Sequence, residues 1–451
     1  MNHAAFALPL GALLVLPAHT QSLPAQLQAG HWEGMLQLPG GKLDLLVELL
    51  SKEGGWQGAI TIPAQGVKDL ALTNINVADG RLKFMLPDIP GDPHFDGALS
   101  ADGAMATGMF IQGGAQLPLT LRHTSGTATV ARKTGEAGGP HSLRAGERVV
   151  HFPGFNTFPL NATVLAGGAH PYFAVMVAGS GPTDRDWSTP LISVPSHGGR
   201  DLAAWLQGQG IGSLRFDKRF IGSKDPKLNI SLDAQVGDIK AAMKAARALP
   251  EAKGKKLLIL GHSEGALLSL LAAGDADAAL LLAMSGISMG KLILAQVKGQ
   301  LDAAQVPAEA SAANLAYLES ALNAVRKDQD LPTATPGVYP GISALVRGLA
   351  RPESRGFVRD LLDLDPWGAA QRLPIPCAVV WGDRDVQTWK PDTLPAEFKG
   401  AVIQIPGANH LFKRETRAKA ELSGATAMST YGDDTPMADL TPLAAWLKAL
   451  K

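Results

Sequence analysis

Hydrophobic and polar positions follow two different rhythms along the chain, and the change comes near residue 124. From Gln26 to about His123 the apolar runs are short and alternate with polar residues, as half-buried strands do. Trp32–Leu38 is one such run. Pro39-Gly40-Gly41 turns the chain into Leu43–Leu50, and Trp56–Ile62 follows Gly54-Gly55. Asp79-Gly80 and Asp102-Gly103 each divide two strand-like runs, which is the strongest short-range hairpin signal. Met105–Ile111 and Leu117–Leu121 complete the series. Many short strands at this spacing predict a small all-β domain over 26–123, either a barrel or a sandwich. Residues 124–140 are small, polar and Gly-rich and read as a linker.

The second rhythm, over 141–451, is α/β. Val149–Phe152 and Phe158–Leu165 predict a leading hairpin. Strands at Tyr172–Val177, Ile211–Phe216, Leu257–Leu260 and Ala279–Ala283 then alternate with helices at Gly199–Gln207, Leu232–Leu249 and Ala266–Ala273. That alternation predicts a mostly parallel sheet with helices on both faces. Residues 285–373 break it with helical patterns at Ala312–Val325 and Ala344–Leu349 and a Pro/Gly-rich middle, Pro332–Gly341. An insertion here reads as a helical lid above the strand ends, where α/β sheets bind ligands. The sheet resumes at Ile375–Trp381 and Val402–Ile405, and Leu440–Leu450 closes the pattern as a helix.

Composition narrows the function classes. A chain of 451 residues calls for two domains. Its 41 basic and 41 acidic residues balance, which gives no support for nucleic acid or an anionic membrane as partner. Cys377 is the single cysteine, so no internal disulfide forms, and its apolar surroundings predict a buried strand residue. Residues 1–25 carry an apolar run, Ala4–Pro17, and read as a signal peptide for export to the periplasm or beyond. The n-region holds His3 and neither Lys nor Arg, so a start without export and a cytoplasmic protein is the alternative. No cysteine follows the run to carry a lipid anchor, and no later run is long enough to span a bilayer.

Candidate chemistry gathers at strand ends. Gly261-His262-Ser263-Glu264-Gly265 lies between the apolar run Leu257–Leu260 and a helix-forming run, the context of a nucleophile elbow. Gly286-Ile287-Ser288-Met289-Gly290 matches the same pattern after Ala278–Met284. The later sequence favours Ser263. A serine hydroxyl needs a base, and the base needs an acid to fix its tautomer. Elbows of this kind go with the chain order Ser, acid, His. Gly382-Asp383-Arg384-Asp385 follows one late strand and Pro406-Gly407-Ala408-Asn409-His410 the next. His410 is the only histidine past the elbow. Asp385 is preferred as the acid because it lies further along its loop, and Asp383 beside Gly382 reads as a turn residue. The oxyanion donors are assigned to the N–H groups of Glu264, after the nucleophile, and of Ser180 in the loop Ala178–Asp186. No metal or cofactor is called for, and His31, His94 and His123 are scattered as surface or packed residues.

Taken together, GSGPTDRD at 179–186, LRFDKR at 214–219, GHSEG, GDRD and GANHLF resemble a bacterial α/β-hydrolase group of serine esterases and serine-aminopeptidase-like enzymes. The resemblance covers about 141–451, and a β-rich N-terminal domain also occurs in that group. It implies an α/β-hydrolase fold and a metal-independent carboxylesterase acting on a small-molecule ester. A peptidase or thioesterase with the same triad is the alternative, and a non-catalytic binding protein on this fold is the alternative of another class. Phe220 stands where the group carries Gly, which puts that loop's shape in question. Asp184, Arg185, Asp217 and Arg219 read as an ion-pair network. Tyr339 and Leu345 in the lid are candidate substrate contacts, with packing of the lid as the competing role. Oligomeric state is not legible.

Overall fold

The computed structural model describes residues 27–450 apart from 39–40, 53–54, 63–66, 88–92, 113–114, 125–142, 190–195, 222–227, 304–305 and 423–426. The expected leader, and the expected linker except Thr124, lie outside these residues. The chain divides into two compact units; 338–344, with Tyr339, groups with the first and Leu345 with the second.

The first unit is all β. Its strands are β1 (Gly30–Leu38), β2 (Gly41–Lys52), β3 (Gly55–Ile62), β4 (Val67–Ala71), β5 (Thr73–Ala78), β6 (Arg81–Met85), β7 (His94–Leu99), β8 (Met105–Gln112) and β9 (Ala115–Thr124). They form a single antiparallel sheet in the order β4-β3-β2-β1-β9-β8-β7-β6-β5. Its first and last strands in the chain are paired, with His31 opposite Thr124. The two strands at the ends of that order, β4 and β5, follow one another through Leu72, whose N–H donates to the Gly58 carbonyl of β3 (2.8 Å). The sheet therefore curls around one core built on Trp32, Leu45, Val47, Phe84, Phe95 and Leu121, which favours the barrel over the two-sheet sandwich. Asp79-Gly80 makes the expected two-residue turn, with φ of 52° and 68° and Ala78 opposite Arg81.

The second unit carries β10 (Glu147–Pro153), β11 (Pro159–Leu165), β12 (Tyr172–Val177), α1 (Gly198–Gly208), β13 (Gly212–Phe216), α2 (Leu232–Arg247), β14 (Lys256–His262), α3 (Glu264–Ala272) and β15 (Ala278–Leu282). Then come α4 (Met289–Ala303), α5 (Ala308–Arg326), α6 (Pro340–Leu349, of which only 345–349 group with this unit), α7 (Arg355–Leu362), α8 (Pro366–Gln371), β16 (Cys377–Gly382), β17 (Ala401–Ile405) and α9 (Thr441–Ala449). The sheet order is β10-β11-β13-β12-β14-β15-β16-β17. The leading hairpin is antiparallel, and the strands from β13 to β17 run parallel. Alternate residues of β12 feed two cores. Phe173, Val175 and Val177 pack with Ile239 and Met243 of α2 and Leu267 of α3. Tyr172, Ala174 and Met176 pack with Leu202 and Leu206 of α1 and Leu443 of α9. Burial on both faces explains why these strands are continuously apolar in sequence. The chain leaves β12 for β13 on one side and returns to β14 on the other, so the loops after β12 and β14 flank a topological switch point. Among the described residues no helix is long and apolar enough to cross a membrane.

Candidate active site

Ser263 sits where β14 ends and α3 begins, with φ 56° and ψ −121°. A non-glycine residue is rarely held there, and the strain is offset by tight packing on both sides. The Ser263 N–H donates to Leu282 O at the end of β15 (2.9 Å). The flanking glycines have no room for a side chain. A Cβ on Gly265 would collide with the carbonyls of Ala178 and Val177, and one on Gly261 with Gly265 O and Ser269 Oγ. Ser288 has none of this geometry. It precedes α4, its carbonyl accepts the Leu292 N–H (2.9 Å), and it is absent from the described residues with positive φ.

The acid and the base come from the loops after β16 and β17. The His410 Nδ1–H donates to Asp385 Oδ2 across 2.8 Å. Asp385 is fully buried. Its Oδ1 accepts the N–H groups of Gln387 (2.7 Å) and Thr388 (3.1 Å), and its Oδ2 also accepts the Thr388 hydroxyl (2.9 Å). Burial is the largest influence on this carboxyl and pushes its pKa up. The charge and hydrogen bond of His410, with the two N–H donors, outweigh it and hold the pKa below the usual carboxylate range. With Nδ1 donating, the neutral ring of His410 keeps Nε2 free to accept a proton. Asp383 instead accepts the Gly407 N–H (2.7 Å), so it staples the acid loop to the histidine loop rather than closing its own turn. A Cβ on Gly382 would collide with the Ala408 carbonyl at that junction. Asn409 shapes the base loop by accepting the N–H groups of Leu411 (2.9 Å) and Lys413 (3.0 Å).

The loop after β12 runs directly against the serine. A Cβ built on Gly179 would lie 3.3 Å from Ser263 Cβ and 3.1 Å from His262 Nδ1. Neither the Ser180 N–H nor the Glu264 N–H donates to a described residue. The second is expected at the first position of a helix, whose early N–H groups have no partner within it. Behind the loop lies the ion-pair network. Arg185 grips Asp217 through two guanidinium nitrogens (3.0 and 2.5 Å), Arg215 pairs with Glu147 (2.8 Å) and Asp186 (3.0 Å), and Arg219 pairs with Asp238 (2.6 Å). All of these groups are almost fully buried, which suits a network that fixes loops rather than one that meets solvent.

A model of the Alpha/beta hydrolase family matches residues 149–419. The chain belongs to that family. Esterase EstD of Thermotoga maritima is 27% identical over 240 residues, 52% of this chain and 52% of that protein, so the match spans about half of each. Among solved structures, the alpha/beta hydrolase GrgF from Penicillium sp. sh18 covers 59% of this chain and 91% of its own, at 19% identity and TM-score 0.37. The proline iminopeptidase of Mycobacterium smegmatis covers 58% and 92%, at 17% identity and TM-score 0.37.

In this member of the family the residues expected from sequence separate into two sets. Asp385 and His410 are hydrogen-bonded, and Ser263 and the Ser180 loop are neighbours across the sheet's switch point. Of the lid residues, Tyr339 is exposed and Leu345 is buried. Three residues beside the candidate site have no role assigned from sequence. His262 stacks on Trp187 (centroids 4.6 Å apart) and its Nε2–H donates to the His410 carbonyl (2.8 Å). Burial first, then the nearby His410, lowers its pKa to about 3, so it stays neutral beside the candidate base. Thr388 links Asp385 to the Ala283 carbonyl at the end of β15 (3.1 Å). Lys218 is buried between Gly179 and Glu264. The partners of all three are backbone carbonyls or distant loops, which leave no periodic trace. The signal available for His262 and Lys218 is their place inside motifs already chosen, and Thr388 has none.

Proposed function

We propose that the protein is a serine hydrolase that cleaves carboxylic esters through Ser263, His410 and Asp385. The observation that carries the reading is the buried 2.8 Å contact from His410 Nδ1 to Asp385 Oδ2, with the acid loop tied through Thr388 to Ala283 after β15 and the base loop tied through the His410 carbonyl to His262 of the elbow. His410 Nε2 takes the Ser263 proton as Oγ attacks the ester carbonyl. The N–H groups of Ser180 and Glu264 hold the developing oxyanion. His410 then protonates the departing alkoxide, leaving an acyl-Ser263 ester. Water, deprotonated by His410, releases the acid and restores Ser263. The esterase relative supports this class.

Ester cleavage is favoured over peptide cleavage because the acidic groups that could recognise a substrate amine are engaged. Glu264 pairs with Lys218 (3.0 Å), Asp186 with Arg215 (3.0 Å), and Asp184 accepts the N–H groups of Asp186 and Ser188 (2.9 Å each). Labelling by a fluorophosphonate probe, lost in Ser263→Ala, together with turnover of an acyl-ester panel, tests the reading. A folded protein that neither labels nor turns over any ester sinks it and leaves the non-catalytic alternative.

The lid is proposed to select which acyl or alcohol groups are accepted. One methylene of fit in an apolar pocket is worth roughly 1–3 kcal/mol. Leu345→Ala should shift the preference among acetyl, butyryl and octanoyl esters by about tenfold. An equal change in kcat/KM on every ester would assign this side chain to lid packing alone.

A further inference from the structure

Lys218 follows β13, and its ammonium ends beside the elbow, where the reaction proposed above does not use it. The side chain is 7% exposed. Its Nζ donates to the Gly179 carbonyl and lies 3.0 Å from Glu264 Oε1. The ring of Phe220 stands 5.6 Å from the same nitrogen, close enough for an attractive contact between cation and π face. Phe220 is the residue at which this chain departs from the pattern it resembles. Here its ring helps to enclose the ammonium.

These contacts bear on both candidate oxyanion donors. The Gly179 carbonyl and the Ser180 N–H belong to one planar trans peptide unit, so they point in opposite directions. A cation on the carbonyl fixes the plane of that unit and so the aim of the N–H. It also draws electron density toward the oxygen, which makes the N–H a stronger donor. The second contact holds the side chain of Glu264, whose own N–H is the other donor. One ammonium therefore ties together the two chain segments that would face the oxyanion.

We propose that Lys218 is a positioning residue of the oxyanion site, acting through the Gly179–Ser180 peptide and through Glu264; this rests on the serine hydrolase reading above. The competing role is simpler: Lys218 neutralises a buried Glu264 and nothing more. Buried ion pairs are often replaceable as a pair at little cost, whereas removal of one partner is expensive. The two roles therefore separate when both partners are removed.

The experiment compares wild type, Lys218→Met, Lys218→Arg, Lys218→Met/Glu264→Leu and Ser263→Ala, each checked for a cooperative melt. Readouts are kcat and KM on an activated ester and inhibition by a trifluoromethyl ketone, whose adduct with Ser263 carries an oxyanion. Lys218→Met should lower kcat about 10- to 100-fold with KM within about threefold, as a partial loss of oxyanion stabilisation does. Ketone affinity should fall by a similar factor. The double variant should stay as slow, and Lys218→Arg should recover part of kcat. If Lys218→Met does not fold, Lys218→Gln replaces it with the same expected pattern at smaller amplitude. Recovery of the double variant to within threefold of wild type would overturn the proposal in favour of charge neutralisation. Wild-type kcat in the single variant, or a kcat loss without loss of ketone affinity, would overturn it as well. The parent reading fails separately, if Ser263→Ala keeps its activity.

Discussion

Residues 261–265 and 286–290 spell the same five-residue pattern, each follows a buried strand, and they fold into different things. In the first, α3 begins at Glu264, immediately after the strand, so the serine must turn the chain alone and is held at φ 56°. In the second, six residues separate β15 from α4, and the turn is spread among them. Ser285 bonds to Ile287, and Gly286 O accepts the Trp367 indole N–H (3.0 Å). The glycines differ in the same way. Gly265 faces rigid carbonyls of β12 and its loop, whereas the atom nearest to a Cβ on Gly290 would be the end of the Arg326 side chain. The motif carries meaning only when no spare residue lies between strand and helix, because only then does the serine take the strain.

The sharpest way to break this comparison is to remove each serine. Ser263→Ala should lower kcat by on the order of 10⁵-fold, as loss of a nucleophile does, and Ser288→Ala should stay within about twofold. Comparable losses in two folded variants, read on one ester, would erase the distinction. The two aspartates of the acid loop form a second pair of lookalikes. Asp385→Asn should cost about 10⁴-fold in kcat by favouring the wrong His410 tautomer. Asp383→Asn should act chiefly on the melting temperature through its Gly407 contact. Kinetics at matched folding decide between them, and the reverse ranking would move the acid to Asp383.

The glycines give a smaller effect. Gly265→Ala should destabilise by about 1–3 kcal/mol or more, since backbone must move to admit the methyl. Gly290→Ala, near the start of α4, should lie within about 1 kcal/mol of wild type, because Arg326 can yield and Ala favours helix. Urea titration of both variants measures the difference, and equal costs would remove the packing argument. The smallest effect concerns the second position, His262 in one motif and Ile287 in the other. The folded pKa of His262 is lowered to about 3 from an ordinary value near 6.5, so the unfolded chain binds the extra proton. Its contribution to stability is whole above about pH 6.5 and falls as pH drops toward 3, by up to about 1.4 kcal/mol per unit. Urea melts between pH 7.5 and 5 should show that slope in wild type and a flatter one in His262→Gln. An unchanged slope would detach the titration from this residue.

Much of the second unit is legible from its apolar runs. The strand expected at Tyr172–Val177 is β12 with the same limits, and Leu232–Leu249 becomes α2 two residues shorter. Strands buried on both faces and helices with one apolar face write their period into the sequence. The first unit is less legible. β7 is hard to see in the sequence because Asp96 and Gly97 look like turn residues. Gly97 stands opposite Gly108, where a Cβ on Gly108 would meet the Asp96 carbonyl, so glycine here serves close strand approach. β4, with Lys68 and Asp69 in five residues, has too few apolar positions to alternate visibly. At the candidate site the chemistry-bearing side chains sit in motifs, but the groups that hold them do not. Lys218 lies within the LRFDKR string, and its partners lie 39 and 46 positions away.

The pairing of β1 with β9 carries a consequence for where the chain of this region could be opened. Because His31 stands opposite Thr124, this sheet begins and ends at one place, and β4 and β5 are already neighbours in the chain. Chain order and sheet order therefore run together around this region, broken in the sheet only between β4 and β5, which the chain joins through Leu72. Joining β9 to β1 by a short linker and reopening the chain at Leu72 would keep every strand beside its present partners.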